Sequence, residues 1–210
     1  MLFILDSSGS VSFDNFQTMK NSVADAVETL VSPNGTKVGI VTFSDAAVIN
    51  MYPDEYENGT EQAEAIRNTI RYVSGTTNTA EALRTAREVV FGGGRDRPGV
   101  RNVLVLLTDG GSNDYGSTVN ESVATKMADI YTIVVGVTSW VNVAEINAVA
   151  TSPIGKNAIM ADNFDVIDEA MMKVKKLICI RKCLGLSSIL SSGIVCVHLL
   201  LFRSISSTQS

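Results

Sequence analysis

The chain has 210 residues, 45% hydrophobic and 19% charged, which suits one globular domain with a buried core. Its 17 Lys and Arg against 22 Asp and Glu give a net charge of −5. Basic residues are neither in excess nor clustered over the first 170 positions, so nucleic acid is excluded as a partner. In chain order, Leu2–Leu5 is a fully apolar run, as expected of a buried parallel strand. Phe16, Met19, Val23, Val27 and Leu30 repeat at helical spacing, predicting an amphipathic helix over 13–31. Ser32-Pro33-Asn34-Gly35 ends it. Val38–Phe43 reads as a second buried strand, and Ala47–Met51 as an antiparallel edge strand after a tight Ser44-Asp45 turn. Helices are predicted over Glu61–Val73 and Ala80–Phe91, separated by a Ser/Gly/Thr loop in which Thr79 caps the second. Val103–Leu107 is the most apolar strand. A helix over Val119–Asp129, a strand over Tyr131–Val137, a helix over Val143–Ala150, a strand over Asn157–Met160 and a helix over Phe164–Ile180 complete the pattern. Strands alternating with helices predict an α/β fold: a doubly wound, mostly parallel sheet with one antiparallel edge strand and helices on both faces.

In open sheets of this kind, ligands bind beyond the carboxyl ends of the strands, where strand order reverses. Three polar stretches are placed to reach that point. Asp6-Ser7-Ser8-Gly9-Ser10 follows the first strand, and its Asp and two hydroxyls at alternate positions can aim three oxygens at one spot. Thr77-Asn78-Thr79 precedes the Ala80 helix, and Thr108-Asp109-Gly110-Gly111 follows the Val103 strand. Oxygen-only ligands suit a hard cation such as Mg²⁺, Mn²⁺ or Ca²⁺. Each stretch alone also reads as a helix cap or turn, and a hydrogen-bonded polar cap without metal is the alternative.

Catalysis finds little support. A phosphoryl-transfer aspartate needs a second acid close by, and Ser8 occupies that place. The only histidine is His198, and no cysteine precedes Cys179, so no nucleophile and base pair is evident. Gly92-Gly93-Gly94 lacks the following Lys and Ser/Thr of a phosphate loop.

With Asp6, Ser8 and Ser10 in a D-x-S-x-S run, Thr77 in a T-x-T loop and Asp109 at the end of a central strand, the chain resembles a von Willebrand factor type A domain with an intact metal-ion-dependent adhesion site. All five positions match. Val38–Phe43 and Ile133–Val137 are similar flanking phrases, and the likeness covers residues 1–178, nearest the collagen VI-like and matrilin-like extracellular branch. The resemblance implies that Ser8, Ser10 and Thr77 ligate the cation directly, and that Asp6 and Asp109 do so directly or through water. It implies a metal-binding, non-enzymatic cell-adhesion module with Mg²⁺ as cofactor, Mn²⁺ or Ca²⁺ being alternatives. An acidic residue of a protein ligand, collagen or another extracellular-matrix or cell-surface protein, would complete the coordination. The alternative functions are an intracellular scaffold of the same fold in a multi-protein assembly and, further off, a metal-assisted hydrolase.

Sequons at Asn34, Asn58 and Asn120 lean towards a secreted glycoprotein. The first strand begins at residue 1 or 2, leaving no room for a signal peptide, so the chain is either cytosolic or lacks its native N-terminus; the family's longer first strand favours the latter. Residues 179–210 form an apolar tail with Cys179, Cys183 and Cys196. Its 184–202 stretch, free of formal charge, is long enough to span a membrane, though serines and glycines dilute it; a disordered or truncated end is the competing reading. Cys179 takes the place of a family cysteine whose partner precedes the first strand, and this sequence has no cysteine there.

Overall fold

A computed structural model of the chain describes residues 1–33 and 35–185. The chain divides into two compact units, Met1–Met172 and Lys173–Ser210. Asn34, Cys196, His198 and all but the first two residues of the 184–202 stretch lie outside the described residues. Among the described residues, no helix is long and apolar enough to cross a membrane.

The first unit is built on a six-stranded sheet in the order β3-β2-β1-β4-β5-β6. Its strands are β1 (Leu2–Asp6), β2 (Gly39–Phe43), β3 (Ala47–Met51), β4 (Val103–Thr108), β5 (Tyr131–Val137) and β6 (Ala158–Ala161). All neighbours pair in parallel except β2 and β3, which are antiparallel. The continuous apolar runs form strands because both faces of the sheet are covered. Leu2, Ile4, Leu104, Leu106 and Val134 pack in one cluster with Ala82, Leu83, Ile146 and Val149. The alternate side chains Phe3 and Leu5, also fully buried, point to the other face. There helix α1 (Phe13–Leu30) buries Phe16, Met19, Val23 and Val27. The remaining helices are α2 (Gly59–Thr69), α3 (Thr79–Thr85), which runs on as a π-helical turn Ala86–Phe91, α4 (Tyr115–Met127), α5 (Val143–Val149), α6 (Ile154–Asn157) and, after a 3-10 turn at Phe164–Val166, α7 (Ile167–Gly185).

The chain winds outward from β1 to β3, then returns to the middle and winds the other way from β4 to β6. The switch point lies between β1 and β4, where Leu5 stands opposite Leu107. Asp6 ends β1 and Asp109 follows the last residue of β4.

Most predicted elements fall within a few residues of the observed ones, with three corrections. Helix α2 ends at its C-cap Ile70 instead of Val73. The buried Lys20 ammonium donates to the carbonyls of Arg67 (2.7 Å) and Ile70 (3.4 Å), satisfying that end. Residues beyond it are drawn to the β1–α1 loop, where the Val73 N–H donates to Ser7 Oγ (2.9 Å). Helix α4 starts at Tyr115 instead of Val119, because Asp114 caps it by accepting from the Ser117 N–H at 3.0 Å. The cap of α3 is Asn78, not Thr79; its side chain accepts from the Glu81 N–H, and Thr79 is buried as the first helical residue.

Helices α1 and α2 pack closely because Gly59 opens α2 against the end of α1. A Cβ there would stand 2.5 Å from the Glu28 carbonyl oxygen and 3.0 Å from that of Val27. Backbone atoms cannot yield, so Gly59→Ala is expected to lose about 1–3 kcal/mol in urea denaturation. Gly155→Ala, where a Cβ meets nothing within 4 Å, is the matched control and should stay near wild type.

Candidate metal centre

Asp6 ends β1, Ser8 and Ser10 lie in the loop that follows it, Asp109 follows β4, and Thr77 lies in the loop between α2 and α3. Asp6 is fully buried at the end of β1. One of its oxygens accepts from the Ser8 N–H (2.8 Å) and the other from the Thr108 hydroxyl (2.6 Å). The Ser8 and Ser10 hydroxyls are 3.1 Å apart, and Ser10 donates to the Asp109 carboxylate at 2.8 Å. A chain of hydrogen bonds therefore runs from Asp6 through the Ser8 N–H, and from the Ser8 and Ser10 hydroxyls to Asp109, joining segments about a hundred residues apart in sequence.

Thr77 reaches the same edge through its backbone. Its N–H donates to the Asn113 side chain (3.0 Å), and its carbonyl accepts from the Asn113 N–H (2.9 Å). Asn113 lies four residues past Asp109, so this double contact ties the Thr77 loop to the Asp109 loop. On the other side the Gly9 N–H donates to the Gly75 carbonyl at 2.9 Å, tying it to the β1–α1 loop. Asp45 adds a latch, accepting from the Thr76 N–H (2.8 Å) and hydroxyl (2.6 Å). Gly75 has φ +116° and lies against the Asp45 carboxylate, so a larger residue there meets both strain and a clash. Thr77 is only 8% exposed, and its hydroxyl has no hydrogen-bond partner among the described residues.

Several residues that shape this edge carry no ligand pattern of their own. Ser7 and Tyr72 are two: the Tyr72 hydroxyl donates to the Ser8 carbonyl (3.2 Å) while its ring packs on Phe13 and Phe16. Buried Glu145 accepts from the Ser112 N–H at 3.0 Å and also from its hydroxyl, holding the Asp109 loop against α5. The Thr138 hydroxyl donates to the Asp109 carbonyl at 3.2 Å. Only the Asn113-Asp114 and Ser112 run hinted at a structured turn in the sequence. Backbone strain gathers here too. Ser12 (φ 66°), Ser74 (φ 67°) and Thr138 (φ 77°) are non-glycine residues in the left-handed region, one on each of three loops around the cluster.

Burial dominates the electrostatics. It pushes the Asp6 carboxyl from 3.8 up to about 6, against the pull of its hydrogen bonds from Ser8 and Thr108, and the Asp109 charge adds to the rise. Asp109 is raised in the same way, chiefly by burial. Residues 7–12, 44–46, 72–78, 109–114 and 138–142 contain no Lys, Arg or His, although Arg71 is exposed in the α2–α3 loop just before Tyr72. Among the described residues there is also no group of three or more His, Cys, Asp or Glu side chains able to hold a metal. A cation here must rest on two carboxylates and neutral hydroxyls. That donor set fits a hard divalent ion.

Of the other predicted site residues, Asn58 and Asn120 are exposed. Asn58 also caps α2, its side-chain oxygen accepting from the N–H groups of Thr60 and Glu61.

The sequence profile of the von Willebrand factor type A domain matches residues 1–173. Cuticlin-6 of Caenorhabditis elegans is 27% identical over 172 residues, covering 81% of this chain and 29% of its own length. Vitrin of Bos taurus is 29% identical, covering 84% of this chain and 26% of its own, and human collagen alpha-1(XXI) chain is 27% identical, covering 85% and 18%. This chain therefore spans less than a third of the curated relatives it matches. Among solved structures, proximal thread matrix protein 1 from the mussel byssus, with a zinc-occupied MIDAS motif, superposes with a TM-score of 0.75 at 29% identity, covering 85% of this chain and 45% of that one.

The raised Asp6 carboxyl sets a pH dependence for the metal-free protein. The folded state holds this proton more tightly than the unfolded chain, so the contribution is full below pH 3.8 and lost as pH rises through about 6. Asp45, Asp54 and Asp114, held below the ordinary carboxyl range by their hydrogen bonds, work in the opposite sense at lower pH. In metal-free buffer, Asp6→Asn should stabilise the protein at neutral pH by on the order of 2 kcal/mol, an advantage that vanishes in acid. Urea titrations of both proteins across this range check it; a difference that does not vary with pH contradicts it.

Proposed function

Because this chain belongs to the von Willebrand factor type A domain family, with the profile covering residues 1–173, we propose that it is a divalent-cation-dependent adhesive binding module. Ser8, Ser10 and Thr77 would hold the cation through their hydroxyls, and Asp6 and Asp109 directly or through water. Mg²⁺ suits this all-oxygen set, with Mn²⁺ and Ca²⁺ as alternatives. When bound, the cation would supply a Lewis-acidic position for one carboxylate oxygen of a protein ligand, collagen or another matrix or cell-surface protein. The chain's own residues do the positioning. Thr108 and the Ser8 N–H fix the Asp6 oxygens, Ser10 orients Asp109, and Asn113 sets the height of the Thr77 loop.

The single observation that carries this reading is the hydrogen-bonded chain Asp6–Ser8–Ser10–Asp109 at the switch point of the sheet. Likeness to a collagen chain and to a byssal thread matrix protein supports a secreted, extracellular-matrix setting and favours binding over catalysis. Asn34, Asn58 and Asn120 would then be glycan acceptors. Residues 1–178 are read as the domain and 179–210 as an appended apolar segment.

Binding to an immobilised matrix-protein extract is expected in Mg²⁺ and lost both in EDTA and in Thr77→Ala. Capture indifferent to both changes would remove the cation from the mechanism. In thermal denaturation, Mg²⁺ at about 100 times its Kd should stabilise wild type by about 2.7 kcal/mol, and Thr77→Ala by far less at the same concentration.

A further inference from the structure

Thr77 is the one proposed ligand whose segment follows no strand. Helix α2 ends at Thr69 and α3 begins at Thr79, so the order of this loop must come from its contacts. Both sequence neighbours of Thr77 are fastened to the turn between β2 and β3. Before it, the Thr76 N–H and hydroxyl donate to one oxygen of the Asp45 carboxylate, at 2.8 Å and 2.6 Å. After it, the Asn78 N–H donates to the Ser44 carbonyl at 2.9 Å, and the Asn78 side-chain amide to the Asp45 carbonyl at 3.2 Å. Thr77 is thus straddled by bonds to two adjacent residues, while Asn113 holds its own N–H and carbonyl. Gly75 lies on the same carboxylate, since a Cβ there would stand 2.9 to 3.1 Å from the Asp45 Oδ2, Cγ and Oδ1 atoms.

Asp45 is exposed, so its side chain adds nothing to the core. Among the described residues no Lys or Arg forms an ion pair with it, Arg71 at the start of the same loop included. The side-chain and backbone hydrogen bonds from Thr76 hold its carboxyl below the ordinary range. The carboxylate is therefore spent on one task, tethering the Thr77 loop. A loop that is loose before binding charges its ordering entropy to whatever it binds, and a loop tethered in advance does not.

We propose that Asp45 is a positioning residue for the cation: its carboxylate fixes Thr76, and through it the Thr77 hydroxyl, before the ion arrives. The inference rests on the cation-dependent reading above. It adds to the five ligands a residue on the β2–β3 turn that sets how tightly they hold the ion.

The test is isothermal titration of Mg²⁺ into wild type, Asp45→Ala, Asp45→Asn and Asp54→Ala. Asp45→Ala should weaken Mg²⁺ binding by about 10-fold or more. Asp45→Asn, whose side-chain oxygen can accept the same two bonds, should restore most of the loss. Asp54→Ala removes another exposed acid and its Arg95 contact beyond the other end of β3, and should bind as wild type does. In EDTA the melting temperatures of Asp45→Ala and Asp54→Ala should lie close together, while the Thr76 and Asn78 amides exchange faster in Asp45→Ala alone. Wild-type affinity in Asp45→Ala would overturn the positioning role and leave the cation reading standing. A loss that Asp45→Asn does not restore, or that Asp54→Ala shares, would make charge the cause and overturn it too. Weaker binding with unchanged amide exchange, or a lower melting temperature in EDTA without weaker binding, would likewise overturn it. Wild type that takes up no Mg²⁺ would overturn the cation reading and this inference with it.

Discussion

Two acids, Asp6 and Asp109, are brought to the same edge by the two strands that flank the sheet's switch point, and burial raises both. Much of the local structure answers that one constraint. Hydroxyls of Thr108 and Ser10 each donate to one of the carboxylates, while burial still holds both acids above their ordinary range. The two parallel strands leave little freedom in this placement, because their register is set by pairs such as Leu2 with Leu104 and Leu5 with Leu107. The position of each acid follows from an apolar run that ends at a fixed residue.

The third segment, around Thr77, belongs to no strand and must be fastened by other means. Gly75 meets Gly9, Asp45 meets Thr76, and Asn113 grips Thr77 at both backbone groups. Left-handed backbone at Ser12, Ser74 and Thr138 marks where the chain bends to make these contacts. Such strain persists only where the surroundings over-determine it, and here three loops determine one another. The anchoring continues outward: Lys20 caps α2, the close α1–α2 packing at Gly59 fixes where α2 lies, and Tyr72 holds the Ser8 carbonyl.

The strands and the longer helices were legible in the sequence because their apolar spacing is a local property. Leu2–Leu5, Val103–Leu107 and the Phe16–Leu30 stripe each identify an element without reference to the rest of the chain. The sheet order was not stated in advance beyond its class; the polar stretches after Leu5 and Leu107 lie side by side at one edge of it. The end of α2 was misread because Ile70 and Val73 continue the helical spacing, while the contacts that end the helix come from Lys20 and Ser7, about fifty and 66 residues away. The start of α4 was misread because its cap, Asp114, sits in a Gly/Ser/Asn run that looks like plain loop. Asn113, Tyr72 and Glu145 escaped notice for the same kind of reason. Their partners lie 36, 64 and 33 residues away, and no short pattern encodes such a pairing.

The central claim is that the oxygens of Asp6, Ser8, Ser10, Thr77 and Asp109 surround one divalent cation. The most direct measurement is anomalous scattering from crystals of the chain grown with Mn²⁺. The account predicts one strong anomalous peak within bonding distance of the Ser8, Ser10 and Thr77 hydroxyls, absent from crystals of Thr77→Ala grown alike. A peak elsewhere on the surface, or none at this edge with Mn²⁺ in excess, would contradict it.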